Sequence, residues 1–167
     1  MTRTISIVGA GRVGRTLGRR LRQLGWRVNA VVARSQAHAR AAAEWIGAGT
    51  PFGHVRADIL SADVILVSTP DSAVAEVADN LARVAAKSLK TTIVLHTSGA
   101  LDSTVLRPLA RLGAATGSLH PMQTFTGTKL PNLKGVAFAI EGAPAAQRAA
   151  QRIARELGGV PVTIHAR

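Results

Sequence analysis

Residues Ile5 to Gly14 read I-S-I-V-G-A-G-R-V-G, an apolar run that ends in three glycines spaced G-x-G-x-x-G. The β-branched character of Thr4 to Val8 predicts a strand, and Val13, Leu17, Leu21 and Leu24 recur at the spacing of one helix face. A strand, a glycine turn and a helix in that order form the dinucleotide-binding fingerprint. Gly9 lets the chain turn sharply, Gly11 withholds a side chain where a pyrophosphate must approach the backbone, and Gly14 lets the helix pack closely on the strand. The helix start offers unpaired N–H groups and a positive dipole end to phosphates. Gly9, Ala10, Gly11, Arg12, Val13 and Gly14 are therefore the expected cofactor contacts.

About twenty residues beyond the turn the fingerprint needs a reader for the adenosine ribose. A second apolar run, Val28 to Ala33, stops there at Arg34-Ser35, and no acid follows before Glu44. A carboxylate would bind the ribose hydroxyls of NAD, whereas a guanidinium pairs with a 2′-phosphate through charge-assisted bonds. Arg34 and Ser35 therefore point to NADP (NADPH) as the cofactor.

The chain has 167 residues, 47% of them hydrophobic, enough for one domain around a single core. No apolar run approaches bilayer length and the N-terminus leads straight into the first strand, so the expectation is a cytoplasmic protein with no membrane partner. There is no cysteine, and the five histidines are not ligand-spaced, so no metal is expected. The formal charge of +12 suggests a polyanionic partner on its face. Its distribution does not: Arg12, Arg15, Arg19, Arg20, Arg22 and Arg27 surround the first helix, the rest scatter, and aromatics are 3%. The expected partner is a small-molecule substrate, with no specific nucleic acid.

Further along, Ser35 is placed to cap an alanine-rich helix to about Ile46, Gly47 to Gly53 ends it, and a short strand is expected near His54 to Arg56. Val64 to Ser68 reads as a buried parallel strand, stopped by Thr69-Pro70-Asp71. Asp71 or Ser72 then caps a helix carrying Val74, Val77, Leu81 and Val84. Thr92 to His96 is a fifth strand opening into Thr97-Ser98-Gly99, and Asp102 or Ser103 starts a helix with Leu106 and Leu109 inward. Ala115 to Leu119 is a strand ending at His120-Pro121-Met122-Gln123, and Gly127 to Lys134 is a loop. A strand over Val136 to Ile140, a helix over Ala145 to Leu157 and a last strand over Val162 to Ile164 complete the chain.

Strands alternating with helices call for an α/β fold: a doubly wound, mostly parallel sheet with helices on both faces. Ligands of such sheets lie beyond the carboxyl ends of the strands. His120 is the candidate for proton transfer there, since imidazole titrates near neutrality and carbonyl reduction needs a proton on oxygen as hydride reaches carbon. Ser98 is placed to donate to the same oxygen or hold the substrate, and His96 is a further catalytic candidate. Thr69, Pro70, Asp71 and Thr97 are expected to shape the wall beside the cofactor.

I-V-G-A-G-R-V-G, V-V-A-R-S and A-D-V-I-L-V-S-T-P-D together resemble the N-terminal domains of pyrroline-carboxylate reductases and deazaflavin-dependent NADP reductases. H-T-S-G-A-L and S-L-H-P-M-Q-T-F resemble, more specifically, an oxidoreductase family with a Rossmann-like domain followed by a helical domain of unknown function. H-P-M at His120 to Met122 is similar to the histidine motif of prephenate dehydrogenases, although Gln123-Thr124-Phe125 then departs from that pattern. The resemblance implies a Rossmann-like NADP-dependent oxidoreductase that reduces a carbonyl or imine of a small organic acid, with Ser98 and His120 facing the nicotinamide and the substrate. It also implies a homodimer closed by a C-terminal helical domain. The expectation for residues 1–167 is one cofactor-binding domain without that closing part, slow in turnover, with an apolar patch at His96 to Ser98 and His120 to Gln123. The alternatives are a dinucleotide sensor or interaction module without turnover, and a dehydrogenase of prephenate-like acids.

Overall fold

The computed structural model describes residues 3–85, 88–127 and 129–165. Both ends of the expected 1–167 domain, and Thr128 of the expected loop, lie outside the described residues. β1 (Thr4–Val8) is buried at every position and runs through the Gly9 turn into α1 (Arg12–Gln23). β2 (Arg27–Val32) and α2 (Gln36–Ile46) follow, with Ser35 as the expected N-cap, its hydroxyl accepting from the His38 N–H. Gly47, at φ 83°, closes α2 in the left-handed conformation.

The third strand is β3 (Thr50–Phe52), inside the glycine-flanked stretch read as loop and not at His54 to Arg56. Proline at its centre masks it in the sequence. It is tolerated because β3 pairs only with β2 and forms the sheet edge. β4 (Val64–Val67) leads to α3 (Asp71–Val84), whose N-cap is Pro70, so neither Asp71 nor Ser72 caps it with a side chain. After β5 (Ile93–His96) the expected helix is divided into a 3-10 turn, Ser103–Leu106, capped by Asp102, and α4 (Arg107–Ala110); Leu106 and Leu109 are fully buried as expected. β6 (Ala115–Pro121) extends past its predicted end and takes His120 into the sheet. β7 (Ala137–Gly142), α5 (Pro144–Glu156) and β8 (Val160–Thr163) complete the fold, each within two residues of its predicted place.

The sheet order is β3-β2-β1-β4-β5-β6-β7-β8, parallel except for the antiparallel β6–β7 pair. The order reverses between β1 and β4, the switch point where doubly wound sheets bind ligands. One core lies under α1, α2 and α5, with Leu17, Leu21, Ile46 and Ile153 against Ile5, Ile7 and Phe138. The other lies under α3 and α4, with Val74, Leu81, Leu106 and Leu109 against Ile65, Val67 and Val94. Leu24, assigned to the buried face of α1, is instead 51% exposed, because the helix ends at Gln23 and the chain turns at Gly25.

Near β8 the second face of the sheet has no helix over it among the described residues. Alternation puts His120 and Met122, Ala137 and Ala139, and Val160, Val162 and Ile164 on that face. Met122 is 62%, Val162 40% and Ile164 45% exposed. The apolar surface expected beside the site therefore starts at Met122 and runs onto β8, away from His96, which is buried. No described helix is long and apolar enough to cross a membrane.

Candidate functional site

Sheet register aligns the site. Val32, Val8, Val67, His96, Ser118 and Glu141 form one cross-strand row, so Gly9, Ser68 and Thr97 each stand one residue beyond it. The turn after β1, the Thr69-Pro70-Asp71 turn and the Thr97-Ser98-Gly99 turn thus open at the same end of the sheet.

The three fingerprint glycines answer different demands. Gly9 has φ 91°, and a Cβ on it would stand 2.5 Å from the Thr69 backbone nitrogen. A Cβ on Gly14 would stand 2.3 Å from the Gly9 carbonyl oxygen. The fold itself requires both. A Cβ on Gly11 meets nothing within 4 Å, and its φ of −72° suits any residue. Nothing within the protein excludes a side chain there, and the open space lies at the start of a helix with no side-chain cap and no acid in its first turn. The N–H groups of Arg12, Val13 and Gly14 are left for an anion, which fits the pyrophosphate of a dinucleotide. Thr69 adds a buried hydroxyl oxygen without a hydrogen-bond partner on the neighbouring turn.

Much of the arginine around α1 is committed to the protein. Arg15 donates to the Gly127 carbonyl and Arg20 to that of Pro131, tying the loop before β7 to the helix, while Arg15 and Arg19 stack on Trp45. Arg12 stays exposed at the helix start. Beyond β2, Arg34 is exposed and lies 3.2 Å from Nε2 of His38, and the Ser35 hydroxyl is 2.6 Å from His38 Nδ1. His38 was missed in the sequence; its signal is the i+3 and i+4 spacing from Ser35 and Arg34 on α2. The three side chains gather hydrogen-bonding groups where a 2′-phosphate would be read.

His120 lies two residues past the aligned row. Its Nδ1 donates to the Thr97 carbonyl at 2.9 Å, which leaves Nε2 as the acceptor of the neutral ring and as the second donor of the imidazolium. Nε2 faces Gly99, where a Cβ would stand 2.6 Å away. Ser98, 7% exposed, accepts from the Ala100 and Leu101 N–H groups at 3.1 and 3.2 Å. With both lone pairs engaged, its O–H is a donor. Ser98 and His120 line one cleft of about 330 Å³ with Gly99, Asp102, Ser118 and Glu141, a size suited to a small ligand.

His96 is not brought to that cleft. It is fully buried, and neither ring nitrogen has a hydrogen-bond partner of good geometry. Burial holds its pKa below the usual histidine value, against the backbone of Asp102 and the carboxylates of Glu141, Asp102 and Asp71. Thr97 serves through its carbonyl, and its hydroxyl donates to Ser68 at 3.1 Å.

Residues 2–121 match the Rossmann-like domain family. The chain belongs to that family. Among solved structures it is similar to a proposed NADP oxidoreductase from Bacteroides fragilis, at 23% identity and a TM-score of 0.78 over 98% of this chain and 61% of that one. It is also similar to arogenate dehydrogenase from Synechocystis, at 18% identity and 0.79 over 97% and 59%. An imine reductase from Myxococcus stipitatus follows at 21% and 0.77 over 99% and 55%. At these identities the likeness is one of fold, and this Rossmann-like domain spans less than two thirds of each of those chains. No curated protein matches the chain.

Proposed function

We propose that this chain is the NADP-binding part of an oxidoreductase that reduces a carbonyl or imine of a small organic molecule by hydride transfer. The observation that carries the reading is Gly11: a glycine the fold does not need, at an uncapped helix start, aligned across the sheet with the cleft of Ser98 and His120. The N–H groups of α1 bind the pyrophosphate, and Arg34, Ser35 and His38 hold the 2′-phosphate. NADPH, when bound, supplies the hydride. His120, anchored by Thr97, gives a proton from Nε2 as the imidazolium, and where the substrate is a carbonyl Ser98 donates its O–H to the second lone pair of the oxygen. The resemblance implies a small organic acid, but among the described residues the cleft brings no lysine or arginine to a carboxylate, so the acid group is not part of this proposal. A homodimer belongs to this proposal, with light scattering as its check.

Calorimetric titration with NADPH and NADH tests the cofactor, and loss of NADPH absorbance with small carbonyl and imine compounds tests the reaction. Tight NADPH binding and turnover support the proposal. Absence of dinucleotide binding defeats it, and binding with no turnover favours a sensor.

A further inference from the structure

The cleft beside His120 is acidic in a basic protein. The chain has 21 lysines and arginines against 9 aspartates and glutamates, so a lining drawn at random would be basic. Among the described residues, this lining contains Asp102 and Glu141 and no lysine or arginine.

Both carboxylates are fixed. Glu141 accepts from the Ser103 N–H at 2.8 Å and from the Ser103 hydroxyl at 2.7 Å, one bond to each oxygen, so each oxygen keeps a lone pair. Asp102 accepts from the Thr104 hydroxyl at 2.5 Å and its N–H at 2.9 Å, and these bonds hold its carboxyl below the usual carboxylate range. Ser98, more than nine-tenths buried, has an O–H free to donate toward a ligand. A substrate carboxylate here would meet two carboxylates and no lysine or arginine in the described lining, whose basic side chains are the proton donor His120 and His165. A protonated nitrogen would meet a held counter-ion with acceptor capacity to spare.

We propose that this cleft takes a cationic nitrogen compound, a small protonated imine and its amine product, with Glu141 as the counter-ion that sets specificity. The proposal rests on the reductase reading above and narrows its substrate. A neutral imine gains its proton on nitrogen from His120 Nε2. The iminium carbon then accepts the hydride with its electron pair, forming a C–H bond. The C=N π pair moves onto nitrogen, the iminium is reduced to an amine and NADPH is oxidised to NADP⁺.

The test uses 2-methyl-1-pyrroline, 1-pyrroline-2-carboxylate and pyruvate as substrates, and 2-methylpyrrolidine as a binding probe. Expected are reduction of 2-methyl-1-pyrroline, the imine without a carboxylate, in preference to both carboxylates, and calorimetric binding of 2-methylpyrrolidine to protein with and without NADP⁺. Glu141→Gln, close in shape and able to keep one Ser103 bond, should weaken that binding about tenfold or more and raise KM while leaving NADPH affinity intact. Ala139→Lys adds a cation to the same cleft without touching the Glu141 bonds, and should weaken amine binding as well. Amine affinity unchanged in both variants, or preference for either carboxylate substrate, overturns the proposal. If NADPH does not bind at all the reductase reading fails, while amine binding to the free protein still decides the charge preference of the cleft.

Discussion

A methyl group on Gly99 would stand 2.6 Å from Nε2 of His120, nearer than any side-chain carbon settles. The glycine after Ser98 therefore makes room for the one ring nitrogen left free by the Thr97 carbonyl. Gly99→Ala should turn or displace the imidazole and break its 2.9 Å bond to Thr97. Turnover is expected to fall toward that of His120→Ala, about 10² to 10⁴ below wild type, with NADPH affinity retained in both. Steady-state kinetics beside calorimetry measure this. Full activity in Gly99→Ala would remove His120 from the reaction.

Gly11 and Gly14 should respond in opposite ways. Gly11→Val places its side chain in open space, so the melting temperature is expected to stay near wild type while dinucleotide binding is lost. Gly14→Ala drives a Cβ to 2.3 Å from the Gly9 carbonyl and should destabilise the fold by about 1–3 kcal/mol. Thermal unfolding and NADPH titration on both variants separate the roles. Retained NADPH affinity in Gly11→Val would put the cofactor elsewhere.

For the 2′-phosphate, Arg34→Ala should lower NADPH affinity about tenfold or more and leave NADH affinity near wild type, since a charged hydrogen bond to phosphate is removed. His38→Ala should act in the same direction, because His38 touches both Arg34 and Ser35. Parallel titrations with the two dinucleotides give the ratio, and an unchanged ratio in Arg34→Ala contradicts the NADP preference.

His96 gives a pH dependence of stability. Burial depresses its folded pKa, so between the ordinary histidine value near 6.5 and the folded value the unfolded chain takes up a proton that the native protein refuses. Its contribution is fully present above pH 6.5 and is lost as pH falls through that window. His96→Leu should remove this part of the acid sensitivity and keep stability near wild type at neutral pH, because both ring nitrogens lack well-formed hydrogen bonds. Denaturant unfolding across pH 5 to 8 reads the slope, and identical slopes for the two proteins would refute it.

Local chemistry made much of this protein legible in its sequence. The glycine spacing after Val8, the alternation of β-branched runs with helical spacing, and Ser35 before an alanine-rich helix are short-range signals, and each fixes backbone conformation within a few residues. They determined the family of fold and singled out the glycine turn and Arg34-Ser35 as the proposed cofactor contacts. β3 was hidden because Pro51 and flanking glycines read as loop, and only pairing with β2 at the sheet edge makes Thr50–Phe52 a strand. His38 escaped because its importance comes from its place in the first turn of α2, where it folds back onto Arg34 and Ser35 before the helix.

The cleft was decided by tertiary structure. His96 and His120 look equivalent in the sequence, both at the end of an apolar run, yet sheet register buries the first beside Ser118 and carries the second two residues further, onto the Thr97 carbonyl. Glu141 carried no sequence signal at all. It reaches the site because β7 runs antiparallel to β6 and sets it opposite Ser118, with Ser103 from a distant turn fixing its carboxylate. Sequence dictates conformation over a few residues; which charges face one another depends on strand register and direction, and those are settled by packing of the whole sheet.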